Sequence, residues 1–234
     1  MNLPLSKRLQ ACCSFISPGA RVADIGCDHG YLGIYLLRES IASYVIAADI
    51  NEMPLQSAVR NAKKFGVQEK ISFYLSDGVK NIPKDFDTLV CAGMGADTMI
   101  SILDSAPWLR ENQYRLILQC QSKTPMLREY LSQNGWRITE ETVLRDGRFL
   151  YTVMEVCWQP ESPRLTAGQC YFPPALLKKP TTELSEYYRS ILFRLRRAIT
   201  GQGVNPDPVL QKALTELESD PELLWLKEVH NDNC

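Results

Sequence analysis

The sequence predicts an α/β fold: a Rossmann-like, mainly parallel sheet ending in an antiparallel hairpin, followed by a C-terminal helical hairpin. Three observations predict it. From Arg21 to about Val156, short apolar runs alternate with helical patterns, the rhythm of strand–helix–strand units. The turn Asp24-Ile-Gly26-Cys-Asp28-His29-Gly30 leads the first run into an apolar helix, which is how such sheets hold nucleotide-like ligands. After Gly135 the rhythm changes to two runs joined through Asp146-Gly147, a strong hairpin signal.

The elements follow in order. Strands are expected at residues 21–24, 44–49, 71–75, 88–92 and 115–120. A helix at 31–38 fills the first gap. A second, at 54–65, has Asn51 as a candidate N-cap and Gly66 as its stop. Helices at 96–103 and 126–134 follow, the last ended by Gly135. The hairpin strands are 136–144 and 149–157. From 159 to 180, prolines at 160, 163, 173, 174 and 180 break the pattern, which reads as a linker. Residues 181–200 place Leu184, Tyr187, Tyr188, Ile191, Leu192, Leu195, Ala198 and Ile199 on one helical stripe. A turn at 201–208 leads to an interrupted helical stretch at 208–218 and 222–229. The expected form is an antiparallel, coiled-coil-like pair. The chain thus divides into 1–158, a linker at 159–180, and a helical domain at 181–234.

Composition narrows the function classes. The chain is 45% hydrophobic and 23% charged, with net charge −1. It has no apolar run of about 18 residues, so no membrane association is expected. Its start lacks the apolar core of a signal peptide. Eight cysteines include no Cys-x-x-Cys, and there are two histidines, so no metal site is expected. The cysteines fit a reducing cytoplasm. A monomer is the default expectation.

The candidate site residues lie at strand ends. Asp24 could accept a hydrogen bond from a ligand ammonium, while Gly26 and Gly30 permit close backbone approach. The alternative is a tight turn with no ligand. Asp49, followed by Ile50, ends the second strand, where an acid can accept from both ribose hydroxyls; otherwise it is a solvated or helix-capping acid. Asp77 and Gly78 follow the third strand and could read an adenine edge, or simply reverse the chain. Gly93-Met94-Gly95 follows the fourth strand, where an acceptor would approach; otherwise the glycines serve helix–sheet packing. Cys91 reads as a buried strand residue. His29 could be a base, but shaping the loop by hydrogen bonding is the favoured role. Asp28 stands where most such loops carry another glycine. A parallel sheet ending in an antiparallel hairpin is the architecture of many S-adenosylmethionine (SAM) methyltransferases. A dinucleotide dehydrogenase would more often continue with a further strand–helix unit. The amino-methyltransferase Asn-Pro-Pro-aromatic sequence and the Pro-Cys nucleophile of C5 chemistry are absent.

Asp24-Ile-Gly-Cys-Asp-His-Gly-Tyr31, Ala48-Asp49-Ile-Asn-Glu52, Ser76-Asp-Gly78 and Ala92-Gly-Met-Gly95 resemble the bacterial tRNA (adenine-22-N1)-methyltransferase family. So do Leu5-Ser-Lys-Arg-Leu9, Leu118-Gln-Cys-Gln121 and Arg128-Glu-Tyr-Leu131, and the resemblance spans nearly the whole chain. Ala96 replaces a glycine common there, and Gln119-Cys120-Gln121 stands where the family commonly has Gln-Pro-Asn. The resemblance implies a class I SAM-dependent enzyme that methylates N1 of an adenine in tRNA, releasing S-adenosylhomocysteine, with 1–158 as its catalytic domain. It places Asp24, Gly26, Asp28, His29 and Gly30 around the methionine part of SAM, Asp49 on the ribose, and Asp77 with Gly78 at the adenine. Asp28, Tyr31 and the Gly93-Met94-Gly95 backbone become candidates for the acceptor side.

RNA contact has its own signal. Lys7 and Arg8 lie near the start. Lys178, Lys179, Arg189, Arg194, Arg196 and Arg197 crowd the linker and first C-terminal helix. Such a patch could bind phosphate or be a solvated helix face. The other readings are a methyltransferase acting on a small molecule or protein, a dinucleotide enzyme, or a binding module that keeps the fold without catalysis.

Overall fold

The computed structural model describes residues 3–178, 180–203 and 205–228. Lys179, expected in the basic patch, and Val229, expected to end the last helix, lie outside the described residues.

The chain opens with α1 (Lys7–Cys13), capped by Ser6, whose hydroxyl accepts from the Leu9 N–H. Then come β1 (Ala20–Ile25), α2 (Tyr31–Arg38), β2 (Ala42–Asp49), α3 (Glu52–Lys64), β3 (Ile71–Leu75), β4 (Thr88–Gly95), α4 (Ala96–Asp104), β5 (Arg115–Ser122) and α5 (Thr124–Gln133). The hairpin is β6 (Trp136–Asp146) and β7 (Phe149–Trp158). Among the described residues four α-helices follow: α6 (Ala167–Tyr171), α7 (Leu184–Gly201), α8 (Pro208–Ser219) and α9 (Trp225–Glu228).

The seven strands lie in the order β3-β2-β1-β4-β5-β7-β6. Pairings among the first five are parallel, and β7 runs antiparallel to both β5 and β6. The inner strands bury side chains on both faces. Ala23, Ile25, Ile46 and Ala48 join one core layer, while Val22, Val45 and Ala47 join the other. Double burial explains why these strands read as continuous apolar runs rather than alternating ones. The order reverses at β1, which has β2 on one side and β4 on the other. Such a switch point opens a crevice at the carboxyl ends of the strands.

Three local expectations need correction. The fourth strand does not stop at Ala92 before a free loop. It continues to Gly95 through a bulge, pairing Met94 with Cys120 and Gly95 with Ser122. Gly93, at φ +81°, supplies the left-handed residue that lets the strand bend and go on. The Pro-rich stretch is not irregular throughout, because Thr166 and Gln169 form a reciprocal capping box that starts α6. Asn51 occupies the N-cap of α3, yet its side chain does not cap; Asp49 Oδ1 accepts the Asn51 N–H instead, at 2.9 Å.

The apolar stripe of α7 buries Leu184, Tyr187, Tyr188, Ile191, Leu192 and Leu195. Its partners come from α8 (Ala213, Leu217), from Phe172 and Leu176, and from Val143 of β6. The helical pair is therefore packed against the sheet hairpin as well as against itself.

Candidate functional site

The crevice at the switch point gathers the predicted acids. Asp24, near the end of β1, is fully buried, and its Oδ2 has no hydrogen-bond partner among the described residues. Burial pushes its carboxyl up to about 7; the Gly33 N–H pulls the other way, and the charge of Asp49 adds to the rise. A buried carboxylate oxygen with no partner is costly unless a ligand completes it.

The loop after β1 is pinned by the N–H groups of Gly26 and Cys27, both donating to the Ala48 carbonyl. Gly26 adopts φ +72°, and a Cβ there would collide with the Met94 methyl. Met94 of the bulged strand therefore lies directly over the first glycine of the turn. Asp28 sits at φ +50°, in the left-handed region that Asp tolerates better than most residues. This explains why it can stand where glycine is usual. Its N–H donates to Asp49 Oδ2 at 3.0 Å, so the two carboxylate oxygens of Asp49 hold the starts of two loops.

The side chains of Asp28 and His29 are more than half exposed and lie 3.7 Å apart. The His29 ring is 5.9 Å from that of Tyr31. Asp28, His29 and Tyr31 thus form one cluster on the first loop. Past Asp49, Ile50, Met53 and Leu75 are exposed apolar side chains, and Leu75 pairs in register with Asp49. An apolar rim beside the Asp49 carboxylate suits a flat heterocycle. Sequence reading had taken only Ile50 from this rim. Asp77 is exposed, and its carboxylate is engaged by Lys80 at 2.5 Å. Gly78 turns at φ +60° against Ile102.

On the far side of Met94 a second cluster forms. Gln119 is fully buried; its Oε1 accepts from the Gly93 N–H at 3.1 Å and from Arg8 Nη1 at 3.4 Å. Arg8 Nε lies 3.8 Å from Asp146 Oδ2, and the guanidinium sits 5.8 Å from the Tyr151 ring centre. Arg8 was expected to meet RNA phosphate, but it is largely absorbed in positioning these groups. Lys7 is exposed. Gln119 and Tyr151 were missed as site residues. The available signal was the pair Phe149 and Tyr151, two residues apart just beyond an Asp-Gly turn, so sharing one strand face.

The basic face of α7 is only partly free. Arg196 is ion-paired with Glu218. Arg189 is half-buried, with Nη1 lacking a partner among the described residues. Arg194 and Arg197 are exposed. Lys178 donates to the Thr139 carbonyl at 2.7 Å. Cys91 is buried and its thiol is pushed far up by burial, so it is no nucleophile.

Fold and crevice define a methyltransferase of the Rossmann-like class. Residues 5–154 match the family model described as a methyltransferase domain. The tRNA (adenine(22)-N(1))-methyltransferase of Bacillus subtilis is 36% identical over 65% of this chain and 65% of its own length. A provisionally named tRNA methyltransferase of Mycoplasma genitalium is 32% identical over 85% of this chain and 91% of its own. A Streptococcus pneumoniae protein, provisionally named a tRNA (m1A22) methyltransferase and solved with S-adenosyl-L-methionine, superposes with a TM-score of 0.78. It is 30% identical, covering 89% of this chain and 96% of that one. The chain belongs to the bacterial tRNA (adenine-22-N1)-methyltransferase family.

Proposed function

We propose that the protein transfers a methyl group from SAM to N1 of an adenine in tRNA. The observation that carries the reading is the Asp24 carboxylate, buried at the switch point with one oxygen unpartnered among the described residues. An ammonium group is the natural complement of such an oxygen. Asp49 keeps spare lone pairs for ribose hydroxyls, and Ile50, Met53 and Leu75 offer apolar cover to an adenine. Gly26, Asp28, His29 and Gly30 would surround the methionine part, with Asp77 and Gly78 at the adenine edge. The residues present fit the cofactor.

When bound, SAM supplies an electrophilic methyl group. The chain's task is alignment, because adenine N1 presents an in-plane lone pair and needs no strong base. Gln119 fixes the Gly93 N–H and so sets the bulge that carries Met94 toward the first glycine turn. Methylation leaves positive charge on the base until a proton leaves N6. Asp28 and the backbone carbonyls of Gly93, Met94 and Gly95 are the polar groups suited to stabilise that charge. Tyr31 is placed to position the base from the first loop. An adenine stacked or paired through N1 must first be exposed.

The division into a catalytic domain at 1–158, a linker at 159–180 and a helical domain at 181–234 belongs to this reading. So does a cytoplasmic setting; among the described residues no helix is long and apolar enough to cross a membrane. Lys7, Arg194 and Arg197 are exposed cations offered to tRNA phosphate; Arg8 and Arg189 are held closer to the protein, and Arg196, though exposed, is ion-paired with Glu218. The test is incubation with labelled SAM and unmodified tRNA, followed by mapping of the modified base. N1-methyladenine is expected. Transfer to small metabolites or protein, with none to tRNA, would overturn the proposal.

A further inference from the structure

We propose that the gap between β5 and β7 is a binding cleft for an unpaired nucleotide of the tRNA flanking the target adenine. This deepens the function proposed above and rests on it. The cleft exists because two neighbouring strands part. The β5–β7 ladder runs only from Arg115↔Cys157 to Leu118↔Met154. Beyond that pair β5 continues to Ser122, while β7 begins back at Phe149. The opening is closed from behind by α7, leaving a cavity of about 820 Å³. That lies within the roughly 300–1,000 Å³ of small-ligand sites.

The lining suits a nucleotide. Phe149 is an exposed aromatic, and its ring lies 6.3 Å from that of Tyr151. The Arg148 guanidinium stands 4.9 Å from the Phe149 ring centre, and the Arg8 guanidinium 5.8 Å from that of Tyr151. Arg148 and the Phe149–Tyr151 pair set a cation beside two aromatic rings, a surface on which bases stack without strong sequence preference. Arg194 of α7 faces the same cavity. Among the described residues neither Arg148 nor Arg194 has a carboxylate partner, whereas the cleft's other charges, Lys123 and Glu186, pair with Asp97 and Arg145. Two guanidiniums with no carboxylate partner among the described residues, beside an edge-to-face aromatic pair, call for an anion joined to a flat ring.

The cleft is continuous with the acceptor side. Gln121 and Ser122 form its β5 wall. A Cβ on Gly93 would lie 3.5 Å from Gln121 Nε2, and one on Gly95 would lie 2.8 Å from Ser122 Oγ. The wall of the cleft is thus the back of the segment that faces the reacting base. A strand of RNA placing one base over Met94 would carry its neighbour into this opening.

The test uses the full chain, an in vitro transcribed tRNA and two variants, Phe149→Ala and the double change Arg148→Ala with Arg194→Ala, the latter read beside Arg194→Ala alone. All three side chains are exposed, so the double variant keeps the test open should the aromatic one fold poorly. The expected result is a KM for tRNA raised about tenfold in each, with SAM affinity by calorimetry and the thermal midpoint at wild-type values. A shift in Phe149→Ala, or a shift in the double variant larger than Arg194→Ala alone produces, sustains the cleft, and anything less overturns it. Wild-type KM in both overturns it while leaving the enzyme's function standing. A wild-type protein that methylates no tRNA removes the function and this occupant together.

Discussion

Asp24 answers to two opposed demands, and pH separates them. Its carboxyl is raised from an ordinary 3.8 to about 7, chiefly by burial. A carboxyl raised in the folded state favours folding below about 3.8, and that contribution is lost as pH rises through about 7. Near pH 8 the ionised group should cost the unliganded protein on the order of 4 kcal/mol. Asp24→Asn should therefore raise the ligand-free melting temperature near pH 8 and change it less near pH 5. The same substitution should weaken SAM binding at least ~10-fold, since a charge-assisted hydrogen bond is lost. Wild-type SAM affinity should climb between about pH 6 and 8, and the variant's should stay flat; calorimetry across that range reads both. A variant binding SAM as tightly as wild type would remove Asp24 from the cofactor site. Asp49 makes the complementary case. It accepts the N–H groups of Asp28 and Asn51, so Asp49→Ala should cost about 1–3 kcal/mol of stability as well as SAM affinity. Asp49→Asn retains one acceptor and should lose affinity with a smaller drop in the urea midpoint. Equal midpoints for the two variants would argue that the carboxylate does not hold these loops.

At the scale of elements, one buried pair joins α5 and β6 to the helices that follow. Arg128 and Glu141 are both 0% exposed and meet through two hydrogen bonds, 2.6 Å and 3.2 Å long. Arg128 also donates to the carbonyls of Cys170 and Tyr171 in α6 and to the Tyr187 hydroxyl in α7. Burial opposes the guanidinium charge, but Glu141 and the Tyr187 hydroxyl more than offset it. Arg128→Met leaves Glu141 buried and unpaired, which should cost about 3–5 kcal/mol in urea unfolding. Adding Glu141→Leu should restore much of that loss; no restoration would mean the damage is to packing rather than charge. Sequence reading took Arg128 only as part of a family match, because nothing local distinguishes a buried arginine from a solvated one. The same limit explains the other misses. Strands and helices were legible wherever period or a punctuating glycine marked them, as at residues 31–38 and around Gly66, Gly135 and Gly147. The bulge at Gly93 was not, since it depends on how β4 registers with β5. The α6 helix hid among prolines, although its Thr166/Gln169 box was present in the sequence. Asp24 and Asp49 were legible because strand ends fix their place. Gln119 and Tyr151 were not, because their roles come from contacts with α1 and β4, remote in sequence.

At the scale of the whole molecule, a net charge of −1 provides no general attraction for a polyanion. Under the proposed function, affinity for tRNA must come from a local face, and α7 offers one whose cations are unequal. Arg194 and Arg197 are exposed, while Arg196 is already neutralised by Glu218 across the α7–α8 pair. Counterion release depends on the phosphates a cation newly neutralises, at roughly 0.7–0.9 per contact in the slope of log K against log salt. Replacing Arg194 and Arg197 together with Ala should flatten that slope by about 1.5 and weaken binding uniformly among tRNA sequences. Replacing Arg196 alone should change it much less, because its removal frees Glu218 as it deletes a cation already partnered. The two effects on local charge then arise from different causes. Neutralising the acid as Glu218→Gln should release Arg196 and steepen the slope, provided this face meets the RNA. Titrations of fluorescent tRNA at several salt concentrations read all three variants. Slopes indistinguishable from wild type throughout would place the RNA on another surface and leave the charges of α7 as a solvated helix face.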